Sequence, residues 1–497
     1  FVLIPWLLAA VQGAFLRYIH IKKFIELNGE QNYEVELAPS HLPIIFSGFM
    51  DFQHHQRRNP KFDFWISSHI VRVLAPGNWK IVESAVDWSS PQYSHLKDPE
   101  PLVTLEKPTK TGNWLRKIFG YLPFGSVPGV GFLKLLFSLY LVVLPKGPIG
   151  STLLTDEGRI TDQGKGFRKI IDAQFIDLLN DILEKIVPRA YTKNYNEVVK
   201  SIGLIRPVPG RILIDNFLPT SEAKRMIIAR ACEKGEKLIT TQHGSGYGVN
   251  LINSWSSEME YPYHALVTWG WRSHGELKGN FIPLPSPLLR RFRNKHNEKK
   301  SLIAMPATKI DIRDVRLIGP RPLQWIKYID DKKAFLKSLD SKILNKIVYF
   351  AYNRGLVDID DVEILKNYHR ELRVELDGLN SKMLSYRLLV LDCPSTTLNI
   401  AMAANLPVVC FWDKAAFPIV EEAKPYFKLL SDTKILHSSP ESAAGHINSI
   451  WLDVESWWTA SETQEARAMW CKNFADTEGL WVWKWLKKLT QIQLGYC

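Results

Sequence analysis

The stretch "LLVLDCPSTTLNIAMAANLPVVCFWD" (388–413) decides the fold class. A short apolar run ends at Asp392, a Cys-Pro turn follows, and Ser395, Thr396 and Thr397 stand where a helical pattern begins. A second apolar run, at 407–412, comes directly after that pattern. Strand, turn, helix and strand in this order form a βαβ unit, which places both strands in one parallel sheet.

The same alternation extends on both sides of this unit. It predicts strands at 211–217, 237–241, 264–271, 280–285, 301–307, 346–352, 386–392 and 407–412, and helices near 220 and at 322–340, 362–369 and 397–405. A proline-punctuated and then basic stretch, 283–300, separates two such series. The predicted fold is α/β, with two Rossmann-like domains and extra helices at both ends of the chain. The predicted domains are an N-terminal helical and mixed region at 1–204 that contributes to the first domain, a first Rossmann-like domain at 205–290, a second at 298–450, and C-terminal helices at 451–497.

Two further helices are predicted at 1–30 and, from apolar residues at helical spacing, at 166–201. The apolar run that opens the chain is interrupted at Gln12 and Arg17, and a second apolar run, 132–144, is also shorter than the roughly 20 residues of a membrane-spanning helix. We therefore expect the first helix to be buried or interfacial. The chain begins with Phe, so we also expect its natural start to lie upstream. Residues 105–165 are punctuated by Gly and Pro and predict an insertion, which is either a surface loop or, as the alternative, a membrane-proximal segment.

Composition limits the classes of ligand and compartment. The net charge of +12 is spread along 497 residues without a polybasic tail, and no nucleic-acid-binding motif is present. This favours an anionic ligand or an anionic membrane surface over nucleic acid. The five cysteines are scattered and form no CxxC pair, which predicts a reducing compartment and no structural zinc. Most of the 17 Trp, including Trp269 and Trp271, are expected in the core rather than at a sugar-stacking surface.

The hydroxyls of Ser395, Thr396 and Thr397 predict a phosphate site. The first N–H groups of a helix have no partner within the helix, and the helix dipole favours an anion there. Ligands of open α/β sheets bind at the carboxyl ends of the strands, where this helix begins. Simple capping of the helix is the alternative, but three consecutive hydroxyls exceed what one cap needs.

A second motif, "KLITTQHGSGYGVN" (237–250), also follows a predicted strand. Gly244, Gly246 and Gly248 have GxGxG spacing, which differs from the dinucleotide-binding GxGxxG pattern. Glycines permit a tight turn and close approach of a ligand to the backbone. His243, directly before this turn, is a candidate general base or anion donor, with a structural histidine as the alternative.

Three charged residues at strand ends are secondary candidates. Asp392 either contacts the ligand or orients the turn behind it. Lys309 and Arg354 follow strands of the second series and are candidate phosphate partners, although each is equally explained as an ordinary surface charge.

Together, "TQHGSGYG", "HALVTWGW", "NFIPLPSP" and "LDCPSTTLNIAMAANLPVVCFWD" resemble the transferases of bacterial surface-carbohydrate gene clusters, of the O-antigen and capsule type. In that family the first motif usually reads Gln-His-Gly-Gly-Gly-Tyr-Gly, and Ser245 here replaces the middle glycine. The resemblance covers about 205–490 well and the first 200 residues in parts.

The resemblance implies a GT-B-like glycosyltransferase, with two Rossmann domains facing a cleft and no metal or other cofactor. A nucleotide-sugar donor, which for a nonulosonic acid would be CMP-linked, and a glycan or lipid-linked glycan acceptor are the implied partners. Residues lining the acceptor side would be Gln242, Gly244, Gly246, Tyr247 and Gly248, with His243 as base or leaving-group contact, and Ser395, Thr396 and Thr397 would hold the donor phosphate. The implied location is cytoplasmic, peripheral on the inner membrane face.

Two other functions are compatible with the same residues. One is a polyol-phosphate transferase of the teichoic-acid type, which would use a CDP-polyol donor. The other is a non-catalytic glycan- or nucleotide-binding component of an export assembly.

Overall fold

The structure is a computed structural model that describes residues 2–42, 44–85, 127, 129–131, 133–144, 172–202, 212–216, 222–252, 254–275, 277–308, 324–352, 360–376 and 378–495. The chain forms two compact units. The first comprises 1–123, 154–213 and 217–237, and the second comprises 124–153, 214–216 and 238–497.

The described helices and strands follow in chain order: α1 (Ile4–Asn28), β1 (Glu34–Leu37), α2 (Phe49–Arg58), α3 (Pro60–Leu74), β2 (Lys80–Glu83), α4 (Leu133–Val143), α5 (Ala173–Ile186), α6 (Tyr195–Ile202), β3 (Ile212–Asp215), α7 (Glu222–Glu233), β4 (Lys237–Thr241), α8 (Ser254–Met259), β5 (Ala265–Thr268), β6 (Phe281–Pro283), α9 (Pro287–Arg290), β7 (Lys300–Pro306), α10 (Trp325–Ser338), α11 (Ser341–Leu344), β8 (Ile347–Phe350), α12 (Asp361–Tyr368), β9 (Arg373–Glu375), α13 (Leu379–Lys382), β10 (Tyr386–Leu391), α14 (Thr396–Ala404), β11 (Val408–Phe411), α15 (Lys424–Asp432), β12 (Leu436–His437), α16 (Pro440–Ile450), α17 (Val454–Thr459), α18 (Ser461–Phe474) and α19 (Trp481–Gln493).

The first unit is built around α1, which packs against α2, α3 and α5. Small buried residues, Ala9, Ala10 and Ala14, let the neighbouring helices approach closely, and the Gln56 side chain donates a 2.6 Å hydrogen bond to the Ala9 carbonyl. Among the described residues, α1 is the one helix whose length and composition would allow it to cross a membrane. Core helices of proteins outside membranes can be equally long and apolar. In α1, 39% of the most apolar 18-residue segment is buried within the protein.

The helix predicted at 166–201 is wrong in its extent. Residues 166–171 lie outside the described part, and α5 ends at Ile186 because Pro188 cannot continue it. A single 3₁₀ turn, Arg189–Tyr191, and then α6 follow. At its start α5 is capped by Asp172, whose carboxylate accepts from the backbone N–H of Phe175 at 2.8 Å.

The larger sheet of the second unit has the strand order β9-β8-β7-β10-β11-β12, and all five pairs of neighbouring strands in it are parallel. Numbered within this sheet, the order is 3-2-1-4-5-6, that of a Rossmann domain. The direction of winding reverses between β7 and β10. Ligands of such sheets bind outside the carboxyl ends of the strands at this reversal.

The smaller sheet has the order β3-β4-β5-β6, with β4 parallel to β5 and β5 parallel to β6. All four residues of β5 are buried, as expected for a strand covered on both faces. Trp269 and Trp271, just after β5, are 3% and 4% exposed and belong to the core. The predicted α/β class with two parallel, Rossmann-like sheets is confirmed.

Helices of the C-terminal region cover the larger sheet. The α18 helix packs on α14 and α15, and its Trp470 donates a 3.0 Å indole hydrogen bond to the Asn399 side chain of α14. The buried core joins residues of both sheets of this unit, from Leu266 to Leu389 and Trp470. The helix that carries the predicted phosphate site, α14, is therefore fixed in position by its packing against the buried core and α18.

Candidate active site

Gln242 begins the glycine turn and is almost fully buried. Its side-chain carbonyl accepts from the Trp269 backbone N–H at 2.9 Å and from the Trp271 indole N–H at 2.8 Å, and its amide donates to the Gly244 carbonyl at 2.8 Å. The bonds that the structure gives this side chain thus brace the turn against the residues that follow β5.

The three glycines of the turn serve different purposes. Gly246 and Gly248 have φ of +91° and +68°, where side chains with a Cβ are strained. A Cβ on Gly248 would also lie 2.5 Å from the Trp271 ring. Gly244 has no such φ, but a Cβ on it would come within 3.3 Å of the Thr396 hydroxyl oxygen. The alternating pattern therefore combines two left-handed positions with one close approach.

His243, half-exposed at this turn, faces a buried carboxylate. Its Nδ1 lies 3.6 Å from Oε1 of Glu260, which is 2% exposed, and 2.9 Å from the Tyr247 hydroxyl. The Tyr247 hydroxyl in turn donates to Oε2 of Glu260 at 2.6 Å. Glu260 follows α8 in a stretch, "EMEYPYH", that offers no motif, and the sequence analysis did not identify it.

This geometry selects the tautomer of His243. A tyrosine hydroxyl has one proton, and here Glu260 accepts it, so the oxygen of Tyr247 can only accept from the His243 ring, whose Nδ1 at 2.9 Å is nearer than its Nε2 at 3.4 Å. Burial and the charge of Glu260 both raise the pKa of Tyr247 well above its ordinary value, which keeps this proton in place. Nδ1 of a neutral His243 therefore carries the ring proton, and Nε2 has the lone pair of a base.

Opposing effects act on the His243 imidazole. Burial disfavours the charged ring, but the hydrogen bond and negative charge of Glu260 outweigh it, so the pKa of His243 is raised above its ordinary value. An imidazolium formed here is stabilised by a carboxylate that is itself shielded from water. A carboxylate that orients and charges a histidine in this way is the arrangement of many general bases.

The predicted phosphate site meets the glycine turn directly. The backbone N–H of Ser245 donates to the Thr396 hydroxyl at 2.9 Å, and the Ser245 hydroxyl lies 3.4 Å from the Pro394 carbonyl oxygen. Ser395 is the N-cap of α14 with an extended backbone, and within the described residues its side chain caps none of the first N–H groups of the helix. The end of α14 is thus open to an anion beside His243 and its turn.

Asp392, at the end of β10, belongs to a buried network. Its Oδ1 accepts from the Thr308 hydroxyl at 2.8 Å, and its Oδ2 accepts from the Tyr328 hydroxyl at 2.7 Å. Lys332, which is fully buried in α10, lies 3.3 Å from Asp392 and 3.1 Å from Asp361. Of the two roles considered for Asp392, these contacts favour holding the β10–α14 turn in place.

A small pocket opens at the carboxyl ends of β10 and β11, beside the start of α10. Its lining contains the aromatic residues Tyr328, Phe411, Trp412 and Phe417, the carboxylates Asp331, Asp392 and Asp413, and also Gln324, Lys327 and Ala416. Lys327 contacts Asp331 at 2.7 Å and Asp413 at 3.8 Å. One cation thus stands among three carboxylates, which suits hydroxyl and amino groups better than phosphate.

Two secondary candidates, Lys309 and Arg354, lie outside the described residues. The other predicted site residues lie in the glycine turn after β4, directly after β10 (Asp392) or at the start of α14. Across the described ranges, no three His, Cys, Asp or Glu side chains come together as they would to hold a metal ion.

Comparison with known families identifies the chain. The model of the LIC12162 family transferases matches residues 1–489. The chain belongs to this family. It is therefore a transferase, as the resemblance implied. Comparison of this chain with curated proteins finds no match.

Two solved structures are distantly similar to this family member. One is a mutant O-GlcNAc transferase of Thermobaculum terrenum, which is 11% identical, with 80% of this chain and 76% of that chain covered and a TM-score of 0.30. The other is WaaG, a glycosyltransferase involved in lipopolysaccharide biosynthesis, which is 12% identical, with 93% and 99% covered and a TM-score of 0.27. The fold assignment rests on the strand orders described above and not on these likenesses.

Proposed function

We propose that this transferase moves a sugar from a nucleotide-activated donor to a glycan acceptor. The observation that carries the proposal is the position of His243, which faces the Glu260 carboxylate, on a turn that is hydrogen-bonded to Thr396 at the open end of α14. A poised base beside an anion site is what glycosyl transfer needs, because one group must accept a proton while a phosphate leaves.

The proposed reaction is a single displacement. Nε2 of His243 takes the proton of the acceptor hydroxyl, and the hydroxyl oxygen forms the new bond to the anomeric carbon of the donor sugar. The bond from that carbon to the phosphate oxygen breaks, and its electron pair leaves with the nucleotide. The N–H groups at the start of α14, with the hydroxyls of Ser395, Thr396 and Thr397, hold the phosphate as its negative charge develops.

We further propose that the nucleoside part of the donor occupies the pocket beside β10 and β11. Its aromatic lining suits a base, and Asp331 or Asp413 can accept hydrogen bonds from ribose hydroxyls or an exocyclic amino group. Cytosine has such an amino group, which makes a CMP-linked nonulosonic acid a donor worth testing first. Helix dipole and hydroxyls suffice to stabilise the phosphate in this scheme, so neither a metal nor another cofactor is included.

The proposed acceptor is a surface glycan or its lipid-linked precursor, elongated at the cytoplasmic face of the inner membrane. The large net positive charge of the chain supports a peripheral location at an anionic bilayer.

A donor panel tests the proposal. Purified protein is incubated with CMP-, CDP-, UDP- and GDP-activated sugars and polyols, and release of the nucleotide is measured with and without glycan acceptors. We expect one nucleotide-sugar class to be turned over, His243→Gln to abolish most of that turnover, and His41→Gln, at an exposed histidine, to leave it intact. Turnover of a CDP-polyol with no sugar donor used would identify a polyol-phosphate transferase instead. Nucleotide binding without turnover of any donor would contradict catalysis.

A further inference from the structure

A basic and apolar surface lies on the second unit and contains none of the proposed catalytic residues. It is formed by α4, by the basic turn 291–294 after α9, and by residues 478–487 at the start of α19. We call it the α4–α19 face. Its exposed apolar side chains are Leu136, Leu139 and Val143 of α4 and Leu480 and Trp483 at the start of α19.

Packing contacts hold these three segments together. The rings of Phe137 and Trp481 stack with centroids 6.1 Å apart, and the hydroxyls of Tyr140 and Thr490 are 2.8 Å apart. Trp485 donates an indole hydrogen bond of 3.0 Å to the Pro285 carbonyl, just before α9. The backbone at Gly129, which leads into α4, is so close to α9 that a Cβ there would lie 2.3 Å from the Leu288 nitrogen.

The exposed apolar residues of α4 form one row. Leu136, Leu139 and Val143 are three and four positions apart, so they lie on one side of the helix. Their exposures are 56%, 36% and 81%, whereas Phe137 and Leu141 on the other side are buried. Trp483 of α19 is 65% exposed, an unusual position for the largest apolar side chain.

The charges on this face are almost all positive. Arg291, Lys484 and Lys487 are exposed, and Arg293 is half-exposed beside the Thr477 carbonyl oxygen, 3.3 Å away. The sequence contains no acidic residue from 127 to 144 or from 479 to 495. Glu478 is the acidic residue at the edge of this face, and Lys484 donates a 3.3 Å hydrogen bond to its backbone carbonyl.

We propose that the α4–α19 face docks the protein on a bilayer rich in anionic phospholipid. Apolar residues flanked by Lys and Arg on a surface helix are typical of segments that lie in the headgroup region, and Trp is enriched at that depth. With 11 residues, α4 is too short to span the bilayer and can only lie on it. A second copy of the chain fits this face poorly, because a symmetric contact would bring like charges together. The inference does not depend on the proposed reaction.

Vesicle flotation with the full chain tests this proposal. We expect the protein to float with phosphatidylglycerol-containing vesicles, to stay unbound with pure phosphatidylcholine, and to be released by high salt. The pair Lys484→Glu and Lys487→Glu is expected to weaken binding by about 25-fold or more, since each cation near an anionic leaflet contributes about fivefold. The pair Val143→Asp and Trp483→Asp should abolish flotation.

Two matched variants locate the effect. Leu452→Asp alters a residue that is 95% exposed in the second unit, and Leu27→Asp alters one that is 69% exposed on α1. Both are expected to float like the wild type, and circular dichroism is expected to show every variant folded. The proposal is overturned if the wild type does not bind anionic vesicles, or if Leu452→Asp or Leu27→Asp weakens binding as much as the α4–α19 variants. A change of oligomeric state in the α4–α19 variants, measured by sedimentation, would assign the face to a second copy and also overturn it.

Discussion

Replacement of Glu260 by glutamine removes the buried charge that faces His243 while keeping the size of the side chain and one acceptor oxygen. If His243 is the base, the imidazolium that forms in the transition state loses a carboxylate whose Oε1 lies 3.6 Å from its Nδ1. Glu260→Gln should therefore slow the chemical step without preventing binding of the donor. The alternative, in which Glu260 only supports the fold, predicts a loss of stability with little specific effect on kcat.

The separation of the two groups sets the size of the effect. Unit charges at this distance attract by about 4–5 kcal/mol at an effective dielectric constant of about 20. Since the His243 side chain is 36% exposed, solvent screens part of this attraction. About 1.4–2.8 kcal/mol remains, which corresponds to a fall in kcat of about 10- to 100-fold. His243→Ala removes the base itself and should cost about 10²–10⁴-fold.

The pH profile distinguishes a positioning role from a structural one. In the wild type, Glu260 holds the pKa of His243 above its ordinary value, so the acidic limb of kcat/KM should lie above about pH 6.5. In Glu260→Gln, burial becomes the main influence on His243 and lowers its pKa. The acidic limb of kcat/KM should therefore move to lower pH in this variant. The stabilisation that the His243–Glu260 ion pair gives the folded wild type is fully present below about pH 6.5 and is lost as the pH rises through the folded pKa of His243. The difference in Tm between the wild type and Glu260→Gln should therefore become smaller as the pH rises.

Steady-state kinetics of the single and double variants complete this test. Because Glu260 acts through His243, the double variant should be no slower than His243→Ala alone. Fully additive losses, or an acidic limb that stays in place in Glu260→Gln, would refute the reasoning.

Three further substitutions probe the site and its supports. Thr396→Val should raise the KM for the donor about tenfold, an effect of roughly 1.4 kcal/mol, whereas Thr396→Ser should restore it, and a valine variant with normal KM would contradict a phosphate contact. Gly248→Ala forces a Cβ to 2.5 Å from the Trp271 ring at φ of +68° and should lower stability by about 1–3 kcal/mol in urea unfolding, while Gly445→Ala, with open space around it, should not. Lys332→Met leaves the buried carboxylates of Asp361 and Asp392 without their cation and should cost about 3–5 kcal/mol in urea unfolding; a cost below about 1 kcal/mol would contradict the network.

Much of the fold of the second unit could be predicted because its strands are apolar runs bounded by turn residues. The strand predicted at 386–392 is β10, and the helix predicted at 397–405 is α14, shifted by one residue. Two of its strands, β9 and β12, are not predicted: β9 is the largely charged stretch Arg-Val-Glu without an apolar run, and β12 has only two residues. The helix predicted at 166–201 is too long because Pro188 ends α5, although apolar residues at helical spacing continue beyond it.

The residues that complete the candidate site could not be predicted from local pattern. His243 and the hydroxyls at the start of α14 could be predicted because they lie in turns that directly follow strands. Glu260 has no such context, since it faces His243 only because β5 follows it and pairs with β4. Lys332 is a lysine on an amphipathic helix, where the ordinary prediction is an exposed charge. Its burial becomes intelligible only when the strand order is known.

That strand order also explains what Asp392 does. Because β7 and β10 are neighbours at the reversal of the sheet, Thr308 after β7 reaches Asp392 after β10, although 84 positions separate them. On α10, the Tyr328 hydroxyl donates to the same carboxylate, and the Lys332 ammonium group forms an ion pair with it. A carboxylate with both oxygens occupied by buried donors has little capacity left for a ligand, but it can fix the turn that begins α14. The proposed anion site at Ser395–Thr397 and the proposed base, His243, are then supported by two separate buried networks, one centred on Asp392 and one on Glu260. Catalysis at their junction would require both to be intact.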